Sequence, residues 1–106
     1  MEAPRFDKYY RYDEMVALLE QLAGEYPTFA QVEVIGQSHE GRDIPALTVT
    51  NADTGAALSK PALYIDANIH GSEVTACSSC LYIAWRLLNG YADDAAYALT
   101  TLRAAA

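Results

Sequence analysis

Apolar residues recur at helical spacing through Met15, Leu18, Leu19, Leu22 and Tyr26. Asp13 is placed to cap the start and Pro27 to end the run, so the first predicted element is an amphipathic helix. The period then changes. Val32 and Val34 alternate with polar neighbours, and Ile44, Ala46 or Leu47, and Val49 make a second extended run. Between them lies Ser38-His39-Glu40-Gly41-Arg42-Asp43, rich in turn formers, and together these segments predict a β-hairpin. Asn51 to Pro61 carries Asp53, Gly55 and Pro61 and predicts a loop. From Ala62 the alternation returns, with Leu63, Ile65, Ala67 and Ile69 on one side and Tyr64, Asp66, Asn68 and His70 on the other. This is the pattern of a third strand that ends at His70.

Gly71 allows a sharp exit from that strand. Ser72 can cap a second helix running from Glu73 to Asn89, with Gly90 as its stop. On this helix Val74, Cys77, Leu81, Ala84 and Leu88 form one stripe. Cys80, Ile83, Trp85 and Leu87 carry apolar surface round to other faces, so the helix requires burial on more than one side. Asp93 or Asp94 can cap a last helix containing Ala96, Leu99 and Leu102. The order helix, strand, strand, strand, helix, helix predicts an α/β fold, a mixed β-sheet flanked by helices with the third strand in its interior.

Composition narrows the function classes. A chain of 106 residues that is 52% apolar is one small domain at most and too apolar for disorder. Seven basic residues against fourteen acidic ones leave a net charge of −7, which repels phosphate backbones and anionic headgroups and excludes nucleic acid and membrane as expected partners. Arg86 and Asn89 interrupt the most apolar segment, and no run approaches the roughly 20 residues that span a bilayer. Met1 to Arg11 contains no apolar run of the kind a secretory signal needs, so a cytoplasmic, soluble chain is expected. Cys77 and Cys80 are too few for a disulfide framework and agree with a reducing compartment.

The sharpest candidate chemistry is His70-Gly71-Ser72-Glu73, set where a strand hands the chain to a helix. Loops at such corners present side chains against a rigid support. A His and a Glu three apart can converge on one ion, and both are good zinc ligands at about 2.0 to 2.2 Å. The positive end of the helix favours an ionised Glu73. A plainer reading stands beside this one: a strand-end histidine can hydrogen-bond to backbone, and a glutamate at a helix start can simply complement the dipole.

The stretch Asp66-Ala67-Asn68-Ile69-His70-Gly71-Ser72-Glu73 resembles the first zinc motif, His-x-x-Glu, of the zinc carboxypeptidase family, the metallocarboxypeptidases related to carboxypeptidases A and B. Two upstream stretches fit as well: Tyr9-Tyr10-Arg11-Tyr12-Asp13-Glu14-Met15 at the opening of a helix, and Gly36-Gln37-Ser38-His39-Glu40-Gly41-Arg42-Asp43-Ile44 between two strands. The resemblance implies that residues 1–106 are a single N-terminal portion of a zinc carboxypeptidase-like catalytic domain, with a truncated sheet. It implies zinc held by His70 and Glu73, two of three expected protein ligands, and a peptide substrate that loses its C-terminal residue to a zinc-activated water once downstream sequence completes the site. In the family the third ligand, a histidine, lies far downstream, as do the glutamate base, the arginines that hold the substrate carboxylate and the tyrosine that closes over it. None has a counterpart before Ala106, and the only other histidine, His39, falls in the predicted hairpin turn. The family often has arginine where Ser72 stands. The chain alone is therefore expected to be inactive. The rival class is a non-catalytic module of the same partial fold, its open sheet edge covered by self-association.

Other residues support plainer readings. Asp66 invites a role in orienting His70, but four residues of strand span roughly 13 Å, beyond hydrogen-bond reach; Asn68 is nearer and still indirect. Cys77-Ser78-Ser79-Cys80 has the CxxC spacing of redox or metal sites, yet it falls a turn inside the predicted helix beside apolar neighbours, where structural thiols are expected. Arg42 suits either an anion contact or a local ion pair with Glu40 or Asp43. Tyr9, Tyr10 and Tyr12 read as packing and surface amphiphiles.

Overall fold

The computed structural model describes residues 1–93. Its main elements are α1 (Tyr12–Glu25), β1 (Ala30–Gln37), β2 (Asp43–Val49) and α2 (Thr75–Asp93), with single 3-10 turns at Ala52–Thr54 and Ala57–Ser59 between β2 and α2. Helix α1 starts one residue before Asp13, and Arg11 stands at the cap. Its backbone N–H is taken by Glu14 Oε2 at 2.9 Å, so Glu14 rather than Asp13 satisfies the helix start. Tyr26 N–H reaches back to the Leu22 carbonyl at 3.0 Å, and Pro27 prevents continuation.

Glu14 also accepts from Lys8 Nζ, and this bond, followed by that from the Arg11 N–H, holds its carboxyl below the ordinary value of 4.5. A depressed carboxyl contributes stability above its ordinary pKa and loses it as pH falls through the folded-state value. Glu14→Gln is therefore expected to flatten the decline in melting temperature as pH is lowered from neutrality to below 4.5. An unchanged acid-side slope would contradict the assignment.

The hairpin forms as its alternation predicts. β1 and β2 pair antiparallel from Ala30 opposite Val49 to Gln37 opposite Asp43, with an irregularity between Val34 and Gly36. Val34 faces Pro45, which has no N–H to give, so the ladder is already weakened where the extra residue Ile35 is accommodated. The turn closes through Ser38 N–H to the Arg42 carbonyl (2.7 Å) and Gly41 N–H to the Ser38 carbonyl (2.9 Å). Gly41 has φ of +80°, a left-handed conformation that glycine takes without penalty. Tyr12 donates its hydroxyl hydrogen to the Asp43 carbonyl at 2.9 Å and ties the start of α1 to the start of β2.

Helix α1 packs against both the hairpin and α2. Leu18, Leu19 and Leu22 from α1, Ala30 from β1, and Leu81 and Leu88 from α2 form the buried core, with Cys77, Ala84 and Trp85 at its margin. Most of the predicted α2 stripe thus points inward, while Val74 lies before the helix and is exposed. The second apolar face of α2 is covered by the N-terminal arm. Phe6 meets Tyr82 edge-on at 5.1 Å between ring centroids and Trp85 at 5.7 Å, and Ser78 Oγ donates to the Lys8 carbonyl at 3.0 Å. No helix among the described residues is long and apolar enough to cross a membrane.

The fold is α/β, two helices and a two-stranded antiparallel sheet with α1 between the hairpin and α2, and three further local expectations change. The segment expected as a third strand, 62–70, is not a strand, and Leu63, Tyr64, Ile65 and Ile69 are exposed. Alternation creates a face, but a strand exists only when its N–H and C=O groups pair with a neighbour, and among the described residues β1 and β2 pair only with each other. Helix α2 begins at Thr75 rather than Glu73. Glu73 N–H bonds the His70 carbonyl (3.0 Å) and Ala76 N–H the Glu73 carbonyl (3.2 Å), so Ser72 sits in a turn and does not cap the helix. Gly90 does not stop α2. It is buried within the helix, and Tyr91 packs against Phe29 with ring centroids 4.5 Å apart and planes tilted by 58°, and accepts from Asn51 Nδ2 at 3.3 Å, packing that outweighs glycine's weak helix propensity. The expected last helix after Asp93 or Asp94 lies outside the described residues.

Candidate metal site

Asn68 opens the site. Its φ of +64° is a left-handed conformation that asparagine tolerates better than most residues, and it redirects the extended segment two positions before His70. The chain bends at Ile69 and His70, turns at Gly71 and Ser72, and is closed by the Glu73 N–H to His70 carbonyl bond. This brings His70 Nδ1 to 2.9 Å from Glu73 Oε2. Both side chains are exposed, His70 at 76% and Glu73 at 64%, so an ion can reach them from solvent.

The two donors fit one metal ion. Two ligands of a tetrahedral zinc at about 2.0 to 2.2 Å stand about 3.3 to 3.6 Å apart, so the pair needs to open by about half an ångström, which exposed side chains can supply by rotation. In the absence of metal the same contact is a local hydrogen bond across a turn. No group of three His, Cys, Asp or Glu side chains that could hold a metal ion occurs among the described residues. His39 lies in the hairpin turn and is not brought into such a group.

The remaining candidates resolve locally. Arg42 Nη1 pairs with Glu40 Oε2 at 3.1 Å on an exposed surface, the ion-pair alternative. Asp66 meets α2 through its backbone, its carbonyl accepting from Cys80 Sγ at 3.7 Å. That link joins residues 14 apart on separate segments, and nothing in their spacing signals it. Cys77 and Cys80 are free and partly buried. Burial pushes both thiols up, with Cys80 adding to the effect on Cys77 and Asp66 to that on Cys80. Because α2 starts at Thr75, Cys77 is in its first turn and not a turn further in as expected. Both thiols are expected to react with a maleimide at neutral pH more slowly than a free cysteine peptide; equal rates would contradict the burial.

A model of the zinc carboxypeptidase family matches residues 15–103, a span that includes the hairpin, the His70–Glu73 turn and α2. The chain belongs to the zinc carboxypeptidase family. Among curated zinc carboxypeptidase relatives, metallocarboxypeptidase A of Trichophyton tonsurans is 36% identical over 90 residues, covering 85% of this chain and 21% of the relative. Carboxypeptidase B of Astacus astacus is 43% identical over 75 residues, covering 71% of this chain and 23% of the relative. An inactive metallocarboxypeptidase of Ajellomyces capsulatus is 34% identical over 86 residues, covering 81% of this chain and 14% of the relative. The chain thus spans about a fifth of the length of the first two. Membership of the zinc carboxypeptidase family makes zinc the metal against which the His70–Glu73 pair is judged. It does not by itself carry activity, since one relative is inactive.

Proposed function

We propose that His70 and Glu73 are two protein ligands of zinc in a metallocarboxypeptidase, and that residues 1–106 are the N-terminal portion of its catalytic domain. The observation that carries this reading is the 2.9 Å His70–Glu73 pair on the turn into α2, inside the stretch that matches the family. The substrate is a peptide that loses its C-terminal residue, and bound zinc supplies the Lewis acidity for that hydrolysis. His70 would supply an imidazole nitrogen and Glu73, two residues before α2, a carboxylate oxygen. Two donors form a partial site, so the chain alone binds zinc weakly and does not turn over.

The test is zinc binding by equilibrium dialysis of the purified chain and of His70→Ala and Glu73→Ala variants. Each variant is expected to lose affinity by at least about tenfold, the lower end of what even an outer partner of a metal site contributes. Unchanged affinity in both would overturn the assignment. The exposed Leu63, Tyr64, Ile65 and Ile69 support a second reading, a non-catalytic module that covers this segment by self-association. Gel filtration in zinc-equilibrated buffer with metal analysis separates the two: a monomer that elutes with zinc above the buffer level supports the first, and a dimer with no excess zinc the second.

A further inference from the structure

The Cys77–Cys80 pair takes no part in the zinc reading, and the structure changes its setting. Cys77 is the third residue of α2, Cys80 lies three residues on, and both thiols are free. Residues three apart on a helix have Cβ atoms about 5 to 6 Å apart, whereas a disulfide needs about 3.5 to 4.5 Å. Local tightening of the Cys77–Cys80 step from α toward 3-10 geometry, in which residues three apart eclipse, closes that gap. Cys80 Sγ also donates to the Asp66 carbonyl at 3.7 Å, four residues before His70.

We propose that Cys77 and Cys80 form a reversible intrahelical disulfide, a redox clip that in its reduced form ties the Asp66–His70 segment to α2 and in its oxidised form releases it. The oxidant is a small disulfide such as oxidised glutathione. Cys80 lies outside the core cluster, whereas Cys77 packs at its margin. The Cys80 thiolate therefore attacks first, forming a mixed disulfide and expelling one glutathione thiolate. The Cys77 thiolate then attacks Cys80 Sγ and expels the second. The two protons released by the cysteines end on the two glutathione thiols, and two electrons pass from the protein to the oxidant. Oxidation removes the S–H that Asp66 accepts. Raised thiol pKa values make the exchange slow, as suits a clip that answers sustained oxidation rather than a turnover catalyst.

The experiment equilibrates the folded, metal-free chain in graded mixtures of reduced and oxidised glutathione, followed by mass analysis after acid quench and by amide NMR. The expected product is two hydrogens lighter than the reduced chain, reverts with reduced glutathione, and shifts the amide signals of residues 66–76. Cys77→Ser and Cys80→Ser should each yield no such species. Accumulation of glutathione adducts alone, closure only under denaturing conditions, or closure without movement of the 66–76 signals would each overturn the proposal. No metal enters the measurement, so its failure is distinct from failure of the zinc reading.

Discussion

Leu22→Ala is expected to lower the free energy of unfolding by about 2 to 5 kcal/mol, the largest single stability loss in this fold. Leu22 is fully buried, at 0% exposure, in the cluster that joins α1, β1 and α2. Truncation removes the apolar area of three carbons, Cγ and its two methyl groups, and leaves a cavity that three separate elements would have to collapse to fill. Small domains hold about 5 to 15 kcal/mol in total, so the loss is a large fraction of the stability of a chain at the low end of that range. Urea denaturation followed by far-ultraviolet circular dichroism measures the change, with Glu20→Ala on the exposed face of α1 as the control, expected within about 0.5 kcal/mol of the parent. A loss below about 1 kcal/mol for Leu22→Ala would mean that the three elements do not share one core.

The purified 106-residue chain supplied with zinc is expected to release no C-terminal residue from peptides above the metal-only background. Only two donors converge at the turn, and no cluster of three metal-ligating side chains occurs among the described residues. A positioned general base alone contributes about 10²- to 10⁴-fold, and the family resemblance puts the glutamate for that role far downstream of the zinc motif. Amino-acid analysis of a peptide digest with and without a chelator is the measurement. Chelator-sensitive release that His70→Ala abolishes would show that two ligands suffice and would refute the partial-site reading.

What the sequence by itself determined is whatever depends on neighbours a few residues away. The α1 stripe of Leu18, Leu19 and Leu22, the hairpin and its Gly41 turn, and the inward line of Cys77, Leu81, Ala84 and Leu88 all follow from a period and a turn chemistry that the chain carries locally. The His70–Glu73 pair belongs with these, because two side chains three apart on a tight turn meet whatever surrounds them. The tertiary structure decided the features that need a distant partner. Residues 62–70 alternate like a strand and are not one, for want of a paired neighbour among the described residues. Gly90 reads as a stop and is helical, because Tyr91 packs on Phe29 and bonds to Asn51 from across the fold. The N-terminal arm carries no strong periodicity, yet Phe6 covers Tyr82 and Trp85. The Cys80–Asp66 contact likewise joins two segments that only folding brings together. Hydrogen-bond pairing and burial are properties of two surfaces at once, and a single stretch of sequence specifies only one of them.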